Sequence, residues 1–131
     1  MLPFGQPALM LTRQRRLTRE RDYRAVYDRG RASRSPAVVC IGLELDGEPT
    51  RVGIVASKKV GDAVRRNRAK RRLREAVRLV WPELGDTGWH LVVIATPTTG
   101  TLDFGDLVEA LRSGLSQLGV LADSPHAPHA L

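Results

Sequence analysis

An apolar strand that leads directly into a strongly basic helix limits most how this chain can fold. Residues 53–57 are mostly apolar, Gly61 and Asp62 interrupt the strand, and residues 62–80 show helical periodicity. One side of this helix gathers a core-facing stripe of Asp62, Ala69, Leu73, Ala76, Val77 and Val80. The stripe predicts a helix with one face packed on a sheet and the other in contact with solvent or a partner.

The opposite side of the predicted helix is almost entirely basic. Its members are Asn67, Arg71, Arg74 and Arg78, with Arg68 at one shoulder, Lys70 and Arg72 beside the stripe, and Arg65 and Arg66 in the first turn. Like charges at this spacing repel by about 0.2–0.5 kcal/mol per pair, and Glu75 is the obvious counter-charge. An anionic partner would reverse that repulsion, and arginine matches phosphate oxygens. We therefore expect nucleic-acid binding; a solvated charged face is the alternative, although such faces usually mix both signs.

The charge of the chain is polarised along its length. The net charge is +7, and 20 of the 21 Lys and Arg residues lie between Arg13 and Arg78, whereas residues 79–131 carry one basic and six acidic residues. This asymmetry favours a polyphosphate partner. A bulky helix does not fit the narrow major groove of A-form RNA, so irregular or looped RNA is the expected target.

The remaining pattern predicts a small α+β domain in the order α-β-β-α-β-α, with one sheet and helices packed on it. The first helix spans residues 18–28, with Thr18 as N-cap and Tyr23 and Tyr27 one turn apart. Strands at 37–45 and 51–57 form an antiparallel hairpin around the turn residues 46–49. A buried strand follows at 91–95, and a final helix at 103–118 begins at the N-cap Asp103. The predicted organisation is a flexible basic arm (1–16), a single RNA-binding domain (17–120) and a flexible tail (121–131).

The sequence suggests neither a disulfide nor a membrane segment. Cys40 is the only cysteine, and its apolar neighbours predict a buried thiol in a strand. No apolar run approaches the roughly 18 residues that a membrane span needs, and residues 1–10 lack the features of a secretory signal. The cytoplasm is therefore the expected location.

No protein active site is predicted either. Hydrolysis of a phosphodiester would need converging carboxylates for metal ions or a histidine acid–base pair. Asp46 and Glu48 belong to a turn, Asp103 and Asp106 to the start of a helix, and His90 is interpreted as a strand-edge residue. His126 and His129 could bind a metal weakly, but a solubilising tail is the favoured interpretation. We expect no catalytic residue and no metal ligand in the protein.

The order of these motifs resembles the signature of the bacterial ribonuclease P protein subunit. The match comprises Val52-Gly53, Ser57-Lys58-Lys59-Val60-Gly61-Asp62-Ala63-Val64, Arg66-Asn67-Arg68-Ala69-Lys70-Arg71 and Arg74-Glu75. Arg16 to Thr18, the pairs Asp22-Tyr23 and Val26-Tyr27, and Gly30 resemble the first helix of that family. The resemblance covers roughly residues 16–118. Basic helices are common, but this ordered set of motifs is highly specific.

The resemblance implies a protein that assists a catalytic RNA in removing the 5′ leader of precursor tRNA endonucleolytically, with Mg²⁺ held mainly by the RNA. The protein alone is not expected to cleave. The residues implied to bind RNA are Lys58, Lys59, Arg65, Arg66, Asn67, Arg68, Lys70, Arg71, Arg74 and Arg78. Tyr23 and Tyr27 are implied to line a leader cleft between the first helix and the sheet; core packing is the alternative for both. The implied fold is of the ribosomal S5 domain 2 type, with a left-handed β-α-β crossover.

Four positions depart from the pattern of many relatives. His90 stands in place of an acidic residue and Thr96 in place of an arginine, so any contact of that arginine is absent or relocated. Ile41 replaces a cleft aromatic of some relatives and is assigned no stacking role. Asp62 replaces a common asparagine and keeps the ability to cap a helix.

Three other functions compete with this interpretation. A structural RNA-binding module of ribosomal-protein type shares the basic helix but does not need the two tyrosines. A helix-turn-helix DNA reader fits poorly, because the basic helix follows strands rather than a second helix. A protein-only nuclease lacks the acidic cluster.

Overall fold

The computed structural model describes residues 13–84 and 87–121, and this part of the chain contains three α-helices and one four-stranded sheet. The helices are α1 (Glu20–Arg29), α2 (Ala63–Leu84) and α3 (Phe104–Leu118). The strands are β1 (Arg31–Arg34), β2 (Val38–Pro49), β3 (Arg51–Val55) and β4 (Thr87–Ala95), and short 3-10 turns occupy Arg13–Arg15 and Lys58–Val60. This confirms the predicted α+β class and adds β1, which the sequence pattern did not indicate.

The strand order is β1-β2-β4-β3, so β4 lies between the two strands that were predicted to form a hairpin. β2 is antiparallel to β4, and β3 is parallel to β4. The hairpin prediction is therefore wrong. The predicted turn at 46–49 forms the end of β2, with an irregular register between Glu44 and Pro49. The physical reason lies in β4, whose apolar run 91–95 is best buried in a central position with helices on both faces.

The segment β3-α2-β4 forms the parallel β-α-β unit that the resemblance implies. Because parallel strands run in the same direction, the carboxyl ends of β3 and β4 lie at the same end of the sheet. The Lys58–Val60 turn and the loop that precedes α3 are thereby brought together. The basic helix α2 begins at this end of the sheet.

One face of the sheet carries the main core under α2 and α3. Cys40, Leu91 and Val93 from the sheet meet Leu73 of α2 and Leu111 of α3, all of which are buried. The prediction of a buried Cys40 thiol is confirmed, and burial raises its pKa to about 12. The predicted apolar stripe of the last helix is confirmed as well, since Leu107, Leu111, Leu115 and Leu118 are all buried.

The other face of the sheet is covered less completely. Leu17 and Val26 pack there on Ile41 and Val92. A second group of apolar side chains beside them is only partly buried, namely Val39, Leu43, Val55 and Ile94. A strip of apolar sheet surface therefore remains accessible next to α1.

The helix ends follow local hydrogen bonding. Asp62 Oδ1 accepts from the backbone N–H of Arg65 at 3.0 Å, which confirms that Asp62 caps α2. Asp103 accepts from the N–H of Gly105 at 3.1 Å and caps α3 as predicted. Thr18 does not cap α1, which begins at Glu20. The reason is that the preceding Leu17 donates its N–H to Val52 O at 3.0 Å, which holds this segment beside β3.

The end of α2 lies beyond the predicted boundary. The helix continues through Pro82 to Leu84. Trp81 and Leu84 are both buried, so their packing sustains a last turn that Pro82 alone would disfavour. The apolar surface of the helix is thus longer than the periodicity predicted.

The described part of the predicted arm is in contact with the domain. Arg16 forms a parallel bridge with Val52, and the guanidinium of Arg15 lies 4.7 Å from the centroid of the Trp81 ring. Residues 1–12 lie outside the described residues. So do residues 122–131, which include His126 and His129.

Candidate nucleic-acid interface

Helix α2 separates an apolar face from a basic one. The predicted stripe is confirmed for its apolar members, since Ala69, Leu73, Ala76, Val77 and Val80 are all buried, whereas Asp62 is exposed at the helix start. Asn67, Arg71 and Arg74 are exposed on the other side, and Arg78 is half-buried. The helix carries eight basic and two acidic residues, so its exposed surface has a strong positive potential.

Only one ion pair neutralises a basic residue of α2 among the residues that the structure describes. Arg78 binds Glu75 through two hydrogen bonds, and the hydrogen bond to Glu75 raises the pKa of Arg78 above its usual value. Glu75 thus serves Arg78 rather than Arg71 or Arg72. Within the described ranges, no carboxylate lies within 4.0 Å of the guanidinium of Arg71 or Arg74.

One shoulder of α2 is tied to the loop between β4 and α3. Arg68 Nε donates to Gly100 O at 3.2 Å. Arg72 donates to Thr99 O at 2.8 Å and to Leu102 O, and its guanidinium lies 5.9 Å from the centroid of the Phe104 ring. Arg72 therefore holds the loop in place. Arg68 shares that contact through one nitrogen and is otherwise exposed.

The first turn of α2 and the preceding 3-10 turn extend the basic surface. Lys58 and Lys59 are exposed there, and Ser57 Oγ accepts from the N–H of Lys59 at 3.3 Å. Arg66 folds back to donate to Gly61 O at 2.9 Å. Arg65 is exposed, and Lys70 is half-buried. All ten basic and amide residues implied by the resemblance thus lie on α2 or immediately before it.

The two tyrosines occupy different environments on α1. Tyr23 is half-buried against the cluster of Leu17, Val26, Ile41 and Val92. Tyr27 is 48% exposed. Burial raises the pKa of both phenols, and for Tyr23 the neighbouring Tyr27 adds to the effect. Both rings are therefore neutral at physiological pH, and the packing alternative applies to Tyr23 more than to Tyr27.

A small cavity is lined both by α1, which carries the tyrosines, and by the basic helix α2. It has a volume of about 120 Å³, and Tyr23 from α1, Arg74 from α2 and Arg16 from the N-terminal segment all line it. Leu17, Val52, Gly53 and Ile54 complete its lining. The sequence pattern could not place Arg74 beside Arg16 and Tyr23, because Arg74 lies on another element much further along the chain.

The departures from the family pattern have structural explanations. Ile41 is buried beneath α1, which leaves it unable to stack on a ligand. Thr96 Oγ1 donates to Pro36 O at 2.6 Å and accepts from the N–H of Thr98, so it organises the loop after β4. No other function of Thr96 follows from these contacts.

The interpretation of His90 as a strand-edge residue is wrong. His90 lies within the central strand β4, is only 5% exposed, and faces Arg51 across the parallel ladder. Burial lowers the pKa of His90; the nearby Asp22 and Glu48 oppose this effect, and Arg51 reinforces it. Its Nε2 has no hydrogen-bond partner among the described residues.

The described residues offer no group of three or more His, Cys, Asp or Glu side chains arranged to hold a metal ion. Within the same ranges, no helix is long and apolar enough to span a bilayer.

Comparison with known proteins identifies relatives over nearly the whole chain. The family model described as Ribonuclease P matches residues 11–119. The ribonuclease P protein component of Symbiobacterium thermophilum is 43% identical over 76% of this chain and 86% of its own length. That of Gluconacetobacter diazotrophicus is 43% identical over 85% of this chain and 97% of its own length.

Solved structures give the same result. The ribonuclease P protein of Thermotoga maritima superposes with a TM-score of 0.65 at 29% identity and covers 79% of this chain and 94% of its own. That of Staphylococcus aureus superposes with a TM-score of 0.69 at 25% identity, covering 86% and 96%. The motifs, the fold and the relatives agree: the chain belongs to the ribonuclease P protein family.

Proposed function

We propose that this chain is the protein subunit of ribonuclease P, which binds a catalytic RNA through α2 and the 5′ leader of precursor tRNA beside α1. The complex removes the leader endonucleolytically and leaves the mature 5′ end of the tRNA. Family membership supports this assignment. The protein would act in the cytoplasm, on precursor tRNA already bound by the RNA subunit.

The observation that carries the proposal is the cavity shared by Tyr23 and Arg74. Proteins that bind single-stranded nucleic acid without sequence preference combine stacking aromatic rings with a cationic groove. Here the aromatic side of α1 meets the basic side of α2 across β3. A strand of RNA that lies beside Tyr23 can therefore place its phosphates near Arg74.

The leader would lie along the accessible strip of sheet beside α1. Tyr27 presents an exposed ring on α1, and Val39, Val55 and Ile94 supply apolar surface on the sheet face that α1 partly covers. Each stacked base contributes about 1–3 kcal/mol whatever its identity. Such a surface suits a subunit that serves many precursor tRNAs with different leaders.

The exposed residues of α2 would dock the catalytic RNA. Asn67 offers an amide donor and acceptor between arginines, and Arg71 and Arg74 have no carboxylate partner among the described residues. Each guanidinium can bind one phosphate through two parallel hydrogen bonds. Binding to RNA would also relieve the repulsion between the unpaired arginines.

The chemistry itself is assigned to the RNA. Mg²⁺ prefers oxygen ligands and keeps several waters, and the described residues do not offer three or more side chains that could hold it together. Mg²⁺ bound by RNA phosphates would activate the attacking water and stabilise the leaving oxygen. The protein would position the leader and neutralise phosphates around it.

Reconstitution with the catalytic RNA of the same organism tests this function. The wild-type protein should accelerate cleavage of precursor tRNA at low millimolar Mg²⁺, where the RNA alone is slow. The gain should grow with leader length until the cleft is filled. Absence of any gain at low Mg²⁺ would exclude the proposed function, and co-purification with ribosomal particles instead would favour a structural RNA-binding module.

A further inference from the structure

A second, larger pocket lies between the start of α2 and the loop after β4. Its volume is about 530 Å³, within the range of roughly 300–1,000 Å³ typical of ligand sites. Val60, Val64 and Pro97 provide an apolar lining, and Arg65 and Arg68 stand at its side. Gly100 and Thr101 complete the wall.

The position of this pocket follows from the topology. It lies where β3 and β4, which are parallel neighbours, both end. Ligands of sheets with parallel strands commonly bind in the crevice outside the carboxyl ends of those strands. The position of the pocket at the carboxyl ends of β3 and β4 therefore resembles that of a binding site rather than an accidental surface depression.

The walls of the pocket are held by contacts from several elements. Thr99 is fully buried, and its Oγ1 donates to Ala37 O at 2.6 Å while it accepts from the N–H of Thr96 at 2.8 Å. Arg72 and Arg68 fix the carbonyls of Thr99 and Gly100. A pocket with such a fixed wall requires little ordering when a ligand binds.

The chemistry of the lining combines two guanidinium groups with an apolar surface. Val64 is an apolar side chain that is 76% exposed. The stem of Arg65 packs over Gly61, where a Cβ would lie 2.7 Å from Arg65 Cδ. Arg68 uses only Nε for its hydrogen bond to Gly100, which leaves its two Nη groups for a ligand.

A nucleotide carries both features that this lining matches, a flat base and a charged phosphate. We propose that the pocket binds one unstacked nucleotide of the catalytic RNA, with its base against Val64 and Pro97 and its phosphate at Arg65 and Arg68. This inference rests on the proposed function. In addition to the phosphate contacts proposed for α2, it assigns a pocket that holds one RNA base.

The geometry of α2 separates this nucleotide from the leader. Arg68 lines the pocket, and Arg74 lines the cavity beside Tyr23. Six residues of helix rotate a side chain by roughly 240°, so the two sites open on different sides of α2. A leader that lies beside Tyr23 is therefore on a different side of α2 from the pocket. We assign the bound nucleotide to the catalytic RNA.

Site-directed crosslinking tests the assignment in the assembled holoenzyme with precursor tRNA. Thr101→Cys places an exposed thiol at the pocket, whereas Cys40 is buried with a raised pKa and escapes labelling. A photo-crosslinker at residue 101 should react with the catalytic RNA at one position. Crosslinks only to the leader, or none in an active holoenzyme, would overturn the proposal. A crosslinker at the exposed Asp28→Cys reports separately on the leader, and hence on the proposed function.

A steric block tests the affinity that the pocket contributes. A Cβ at Gly100 would meet nothing within 4 Å, so Gly100→Leu fills the pocket without a backbone clash. The dissociation constant of this variant for the catalytic RNA should rise about tenfold, the scale expected for the loss of one buried apolar contact. Ser113→Leu, on the exposed surface of α3, should leave it unchanged. Equal affinities of the two variants, at equal thermal stability, would contradict a bound nucleotide, whereas failure of the wild type to bind the RNA would instead refute the proposed function.

Discussion

The ring of Tyr23 lies directly over the backbone of Gly53. A Cβ at residue 53 would stand 2.6 Å from both Cε1 and Cζ of that ring. Gly53 thus leaves room for the end of the Tyr23 ring, and a larger residue there would require that ring to move. The contact places the Tyr23 ring close against β3, beside the proposed leader cleft.

Gly53→Ala should consequently destabilise the fold and displace Tyr23. Overpacking of this kind costs about 1–3 kcal/mol, which urea denaturation would measure. Gly100→Ala is the matched control, because a Cβ there meets no atom within 4 Å. If both variants unfold at the same urea concentration as the wild type, the contact does not constrain α1.

Tyr27→Ala should weaken binding of precursor tRNA without a loss of stability, because the side chain is largely exposed. Loss of one stacked base corresponds to about tenfold in the dissociation constant. Tyr27→Phe retains the ring and should bind as the wild type does. The measurement compares precursor with mature tRNA in the holoenzyme; an equal loss for both would show that Tyr27 does not contact the leader.

Arg74→Ala should reduce both the affinity of the protein for the catalytic RNA and the dependence of that affinity on salt concentration. Each phosphate contact contributes about 0.7–0.9 to the slope of log K against log salt concentration, so the slope should fall by about one. Arg34→Ala removes the same charge from β1, at the opposite edge of the sheet from β3. A slope reduced equally by both variants would indicate a general charge effect rather than a contact of Arg74.

The stability of the protein should decrease as the pH falls through the titration range of His90. Burial keeps the folded-state pKa of His90 below its ordinary value, so the unfolded chain binds the proton more readily. The contribution is fully present above the unfolded-state pKa of about 6.5. It is lost as the pH falls from there through the lowered folded-state pKa.

Urea titrations between pH 7.5 and 5 measure this effect. His90→Gln cannot take up the proton, so its stability should change less over the same interval, whatever its absolute value. A pH dependence identical to that of the wild type would assign the effect to other groups. Arg51, which faces His90 in the ladder, is expected to favour the neutral imidazole.

The sequence predicts well those features that depend on local pattern. The stripe of α2, the caps formed by Asp62 and Asp103 and the burial of Cys40 all follow from periodicity or side-chain chemistry within a few residues. The position of β4 between β2 and β3 does not. It depends on which strand gains the most free energy from burial on both faces. That gain is set by contacts between elements that lie far apart in the sequence.

The same distinction applies to the candidate site. The basic face of α2 is visible in the sequence because its members lie on one helix. The cavity shared by Arg16, Tyr23 and Arg74 is not, because three separate elements contribute to it. The pocket beside Val64 escaped prediction for the same reason, although an apolar residue among arginines was a signal that could have been noticed.

The contact of Arg16 with β3 has a further consequence, for the tendency of the sheet to pair with a second copy of the chain. β3 is an edge strand of the sheet, and an uncovered edge can pair with the edge of another molecule and lead to aggregation. The bridge from Arg16 to Val52 covers part of that edge. The opposite edge is β1, which is only four residues long and carries Arg31 and Arg34. Neither of these edges, as the structure describes them, thus offers a second copy of the chain a long, uncharged strand, an arrangement that disfavours edge-to-edge aggregation.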